Sequence, residues 1–127
     1  IWSSELNSLT YKASYTILAF NENKYKPKTN DALLYKTAKW LSDQQEASGG
    51  FAPWCNHPVG ENVYCTSVAL LALISMNDTA YIETIERAYV YLCKTQLKSG
   101  VWAYHEIEDG ASWGLYALSQ AERYLEG

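Results

Sequence analysis

Three carboxyl side chains fall within four residues at Glu106, Glu108 and Asp109. Acids held this close oppose one another's ionisation, which is one way a protein keeps a proton available near neutral pH. The opposing force stands beside them: a helix expected from about Ala111 would favour the carboxylate form at its N-terminus and use Asp109 as its N-cap. Cys55, His57, Cys65 and His105 carry thiol and imidazole groups, which ligate metals in some settings and simply pack in most. The third set is aromatic, with five Trp and eleven Tyr against two Phe. Of these, Tyr11, Tyr15, Tyr64, Tyr104, Trp113 and Tyr116 fall on or near segments expected to be interior helices. No Asp-rich run for Mg²⁺, no Gly-rich phosphate loop and no Ser/His/Asp order is present, so these motifs imply no cofactor.

The elements that must position these groups are bounded by composition. The chain has 127 residues, 48% hydrophobic and 14% aromatic, with a formal net charge of -4. That describes one compact domain over residues 1–127 rather than a disordered polymer. A domain of this size buries roughly two-thirds of its unfolded surface, so every helix needs a neighbour over its apolar face. Phosphate recognition requires an extended basic stripe; at a formal net charge of -4 none is expected, and no nucleic-acid partner with it. The longest apolar stretch, Val68 to Met76, falls short of the ~20 residues of a membrane span. Three cysteines cannot all pair within one chain, which favours a reducing compartment such as the cytoplasm without fixing it. The sequence opens at Ile1 with neither an initiator Met nor a basic-then-apolar leader, as expected of a trimmed domain or of a mature product whose targeting segment has been removed.

Periodicity and punctuation predict five helices, over about 3–20, 30–46, 63–76, 79–97 and 111–125. Ser3 or Ser4 caps the first, in which Leu6, Leu9, Ala13, Ile17 and Phe20 recur at helical spacing. Thr29-Asn30 opens the second, whose Leu34, Ala38 and Leu41 share a stripe with Lys36, Lys39 and Asp43 turned away. In the third, Val68 to Ile74 is apolar nearly all round, so it must be covered on all sides. Asp78 or Thr79 caps the fourth, and glycine turns at Gly49 and Gly100 end the second and fourth. The chain also repeats itself. WLSDQQEASGGFA from Trp40 lies over YLCKTQLKSGVWA from Tyr91 without a gap, matching Gln45 with Gln96, Gly49 with Gly100 and Phe51 with Trp102. Downstream, SVALLAL from Ser67 lies over SWGLYAL from Ser112. Amphipathic helices thus alternate with apolar ones through about two and a half hairpins, the pattern of an all-α fold in two layers.

Arg87-Ala88, Tyr91-Leu92, Gln96 and Gly100-x-Trp102 resemble the Gln-Trp repeat of squalene and other terpenoid cyclases. Lys36, Trp40-Leu41, Gln45 and Gly49-x-Phe51 repeat it with Phe in place of Trp. Those cyclases and the β subunits of protein prenyltransferases build α/α toroids. The resemblance, from about Lys36 onward, therefore implies a toroid-type arc of about five helices with inner and outer layers. It also implies that Gln45 and Gln96 are structural, each bonding orphan backbone groups at the next inner helix start. Glu106-Ile107-Glu108-Asp109 resembles the Asp-x-Asp-Asp motif of proton-initiated cyclases, with Glu at two acidic positions and Gly110 where the motif has Thr. It implies Glu108 as proton donor, tuned by Glu106 and Asp109 and partly shielded by Trp102 and Trp113. Tyr64-Cys65-Thr66-Ser67 resembles the prenyltransferase segment that carries a zinc-ligating Cys. Val63 stands where that segment has an Asp ligand, so Cys55, His57 and His105 would have to complete a zinc site. Family cavities use aromatic walls to shape an isoprenoid and stabilise carbocations; Tyr15, Tyr64, Tyr104, Trp113 and Tyr116 are the corresponding lining here.

The ligand this implies is an apolar, isoprenoid-like small molecule. A complete toroid needs about twice as many helices, so catalysis by this chain alone is not expected. Self-association, or the remainder of a longer chain, would cover the open ends. Two other functions suit the same pattern: a non-catalytic helical-repeat module that holds a protein partner, and part of a carbohydrate-active α/α barrel.

Overall fold

A computed structural model describes residues 9–22, 31–55 and 57–127. Helix α1 spans Thr10–Glu22, α2 Asp31–Asp43, α3 Val63–Met76, α4 Ile82–Thr95 and α5 Ile107–Glu126, with a 3-10 turn at Thr79–Tyr81 leading into α4. The fold is all-α: among the described residues no strand forms, and Phe51 and Asn62 make one isolated bridge. The expected caps at Ser3/Ser4 and Thr29/Asn30 lie outside the described residues.

Helix α3 sits at the centre because its sequence leaves it nowhere else to go. Val63 and every residue from Cys65 to Leu73 are buried. Its start is fixed by Asn62, whose Oδ1 accepts the Cys65 N–H at 2.8 Å, and its end by Asn77 in the left-handed region, φ 51°. Helices α1 and α5 lie along the two sides of α3, while α2 covers α1 and α3 and α4 covers α3 and α5. The expected layering therefore holds: α1, α3 and α5 are inner, α2 and α4 outer. Leu70 and Leu71 are buried and Lys36 and Lys39 exposed. Helix α1 runs parallel to α3. Tyr15 meets Tyr64 near the starts, and Asn21 Nδ2 donates to Ser75 Oγ at 2.9 Å near the ends. Thr10 anchors the α1 start by donating from Oγ1 to Ala52 O at 2.6 Å and from its N–H to Pro53 O at 2.8 Å.

The two repeat loops have the same conformation. Glu46 N–H donates to Gly50 O and Gly49 N–H to Glu46 O, both at 2.9 Å; Leu97 to Val101 and Gly100 to Leu97 repeat the pair at 2.8 Å. Gly49 and Gly100 both take φ 95°, a conformation L side chains rarely adopt. Each glutamine closes its own loop, Gln45 Nε2 donating to Gly49 O at 2.9 Å and Gln96 Nε2 to Gly100 O at 2.8 Å. This corrects the expectation of a bond to the next inner helix start. A four-residue spacing across a tight turn lays the amide directly over its own loop carbonyl. The inter-helix bonds of Gln45 go instead to the next outer helix. Its second amide hydrogen goes to Thr84 O, and its Oε1 accepts from Arg87, both at 2.9 Å. Trp102 is buried, donates from Nε1 to Leu92 O at 3.0 Å and packs its six-membered ring against Gly114 of α5.

Four boundaries differ from expectation. Helix α1 begins at Thr10 rather than near Ser3, with Leu9 outside it and Thr10 tied to Ala52 O and Pro53 O. Helix α2 ends at Asp43, a few residues early, because Glu46 onward is committed to the loop bonds. Helix α4 begins only after the 3-10 turn that Asp78 caps through Ala80 N–H. Helix α5 begins at Ile107 rather than near Ala111, so Glu106 holds the cap position and Asp109 is not the cap. Glu108 and Asp109 lie in the first helical turn, where acids complement the exposed N–H groups.

Candidate functional site

The inner helices leave a groove of 590 Å³ on the side away from α2 and α4. Helix α1 lines it with Tyr15, Leu18, Ala19 and Glu22, α3 with Leu71, Ile74 and Ser75, and α5 with Trp113, Tyr116 and Gln120. Each set follows helical three- and four-residue spacing, so each inner helix presents one continuous stripe to the groove. One end is aromatic, at Tyr15 and Trp113. The other is polar, at Glu22, Ser75 and Gln120, where the C-terminal ends of α1 and α3 add negative potential. The walls are open to water: Tyr15 is 40% and Tyr116 53% exposed. Ser67 lies one turn before Leu71 on α3; its Oγ is buried and has no hydrogen-bond partner among the described residues.

At the aromatic end Tyr64 is a hub. Its ring lies 6.0 Å from Trp113 edge-on, 6.1 Å from Tyr11, 6.5 Å from Tyr15 and 6.3 Å from Tyr104 in a stacked arrangement. Tyr15 and Trp113 close the ring at 6.3 Å. These separations suit the attraction of electron-rich faces for ring edges. The Tyr15 and Tyr64 hydroxyls are hydrogen-bonded to each other. Burial, then that hydrogen bond, pushes the Tyr64 hydroxyl pKa well above its ordinary value, and burial raises that of Tyr104. Beyond this cluster, at the helix starts, a smaller cavity of 280 Å³ is lined by Tyr11, Tyr64 and Tyr104 with Pro53, His57, Val59, Asn62, Cys65 and His105.

The structure thus divides the sequence candidates. Tyr15, Trp113 and Tyr116 line the groove, Tyr64 and Tyr104 the smaller cavity, and all but Tyr116 belong to one aromatic cluster. His57, Cys65 and His105 face the same smaller cavity, while Cys55 is exposed and does not line it. Cys65 is buried within the α3 N-cap, 3.5 Å from Asn62 Nδ2, and burial raises its thiol pKa. His57 Nδ1 accepts the Val59 N–H at 3.0 Å and its ring stands edge-on to Trp54 at 4.2 Å. Among the described residues no group of three His, Cys, Asp or Glu is disposed to hold a metal. Glu106, Glu108 and Asp109 are all exposed and line neither cavity. The shielding expected from Trp102 is absent because that indole is buried against Gly114.

Sequence reasoning missed Leu18, Glu22, Leu71, Ile74, Ser75 and Gln120. For Leu71 the signal was available: the overlay of SVALLAL on SWGLYAL pairs it with Tyr116, so one groove position predicts the other. Comparison with known proteins returns no match, whether to a family model, a curated protein or a solved structure. Among the described residues no helix is long and apolar enough to cross a membrane.

Proposed function

We propose that the inner-helix groove binds an elongated apolar ligand of isoprenoid character that carries a neutral or cationic head rather than a diphosphate. The observation that carries this reading is the polarity of the groove. Its walls are aromatic and aliphatic at Tyr15, Leu18, Leu71, Ile74, Trp113 and Tyr116, whereas its polar end offers Glu22 beside two helix C-termini. Such a wall removes hydrocarbon from water at about 25 cal/mol per Å² of apolar surface. The polar end accepts hydrogen bonds and repels anions. Open pockets of this size commonly hold small apolar molecules through a few placed polar groups.

Titration with a C15 isoprenoid alcohol and its diphosphate, followed by tryptophan fluorescence, tests it. Saturable binding of the alcohol, weaker binding of the diphosphate, and at least about a tenfold loss in Tyr116→Ala are expected. Equal affinity for both, or alcohol binding indifferent to Tyr116→Ala, would refute the reading. A second function, a groove for a partner's amphipathic helix, draws on the same open walls and the exposure of Tyr15 and Tyr116.

A further inference from the structure

The interface between the two repeats is a template for a surface that the second repeat leaves uncovered. In the first repeat, α4 docks on Gln45 and the 46–50 loop through Thr84, Arg87 and Tyr91. Thr84 O accepts from Gln45; Arg87 donates to Gln45 Oε1 at 2.9 Å and to Ala47 O at 2.8 Å; the Arg87 carbonyl lies over Gly49; and the Tyr91 ring lies over Gly50. A Cβ on Gly49 would strike the Arg87 backbone, and one on Gly50 would stand 2.7 Å from the Tyr91 ring. The second loop has the same hydrogen bonds and the same φ of 95° at its glycine, yet among the described residues nothing lies within 4 Å of a Cβ placed on Gly100. Gln96 makes the bond to its own loop and, among the described residues, none to another helix. The inner layer tells the same story. Leu70 of α3 is 0% exposed beneath the following repeat, while Leu115, its counterpart on α5, is 52% exposed.

We infer that this edge receives one further outer–inner helical hairpin of the same repeat type, supplied from outside residues 1–127. Its outer helix carries an arginine where α4 has Arg87, reaching Gln96 Oε1 and the Lys98 carbonyl. Four positions on it carries a residue smaller than tyrosine, because Val101 fills the space that Gly50 leaves for Tyr91. Its inner helix covers Leu115. A second copy of this chain does not fit in that register. Its first outer helix brings Lys36 and Trp40 to the two positions, and Trp40 would meet Val101; its α1 already covers the side of α3 that would have to face α5. The inference rests on the repeat geometry and is independent of what the groove binds.

The test uses the full chain with a copy of residues 78–127 appended, the tyrosine equivalent to Tyr91 replaced by alanine in the copy. A flexible Gly/Ser linker of ~12 residues has a root-mean-square reach of ~19 Å and holds the hairpin at millimolar effective concentration. Hydrogen exchange at Leu97, Gly100 and Leu115 should slow by about tenfold or more relative to the unextended chain. Replacing the copy's arginine by alanine should restore the original rates, since charge-assisted bonds to loop oxygens are lost. Unchanged exchange at those amides, or protection that survives loss of the arginine, would overturn the inference. The unextended chain should sediment as a monomer at micromolar concentration. A dimer that protects Gly100 and Leu115 would assign the edge to a second copy and overturn it as well.

Discussion

Gly114→Ala should destabilise the protein, against the usual direction for glycine in a helix. An ordinary Gly→Ala change inside a helix stabilises by about 1 kcal/mol. Here the new Cβ would stand 2.6 Å from one atom of the Trp102 ring and 2.8 Å from two others. That ring is 2% exposed and tethered through Nε1 to Leu92 O at 3.0 Å, so it cannot give way without losing the bond. Overpacking costs about 1–3 kcal/mol and the bond about 1 kcal/mol. Set against the helix gain, the net loss is about 1–3 kcal/mol, which urea denaturation resolves. The first repeat suggests the rescue: Phe51 stands where Trp102 does, and Ala69 stands where Gly114 does in the overlaid helix segments. Trp102→Phe alone should destabilise by leaving space in the core, and adding Gly114→Ala to it should cost nothing or restore stability. The expected coupling is about 1–3 kcal/mol across the double-mutant cycle. A Gly114→Ala single variant more stable than the parent by about 1 kcal/mol would refute the proposed contact between ring and helix.

Gln45→Ala should lower stability by about 2 kcal/mol and Gln96→Ala by about 1 kcal/mol, because Gln45 also holds Thr84 O and Arg87 while Gln96 holds only its own loop among the described residues. Equal losses in thermal melts would mean that the bonds to α4 contribute nothing. Burial, with smaller contributions from Glu61 and Cys65, pushes the Tyr91 hydroxyl up to about 12 from its ordinary value of 10.0. A raised pKa gives stability that is full below pH 10 and declines as pH rises toward 12, so Tyr91→Phe should flatten the alkaline limb of a stability–pH curve over that window. An unchanged limb would show that the hydroxyl ionises as readily folded as unfolded. Ser67→Ala should be neutral or stabilising by up to about 1 kcal/mol, since the buried hydroxyl has no partner among the described residues. A loss above about 1 kcal/mol in urea denaturation would instead show that the hydroxyl is hydrogen-bonded in solution.

The all-α class, five helices and the alternation of covered and half-covered segments were legible in the sequence because they depend on short-range patterns. An unbroken apolar run such as Val68–Ile74 can only be central, and a Lys36/Lys39 face can only be outside, whatever else the chain does. The loop repeat was legible for the same reason: a glycine at positive φ and a glutamine four residues before it interact within one turn. The partners of Gln45 were not legible, since Arg87 and Thr84 lie 42 and 39 residues away and only the docking of α4 on the first loop brings them there. The α5 start was misjudged because local acids suit either a cap or a first turn, and the Gly110 N–H bond to Glu106 O at 2.9 Å, formed as the helix packs, decides between them. That choice, together with the burial of Trp102 against Gly114, is what leaves Glu106, Glu108 and Asp109 in solvent. Tyr15, Tyr64 and Trp113 come from three separate helices. Their types were visible in the sequence, but their meeting at one end of the groove depends on three inner helices lying side by side, which is a property of the packed layers alone.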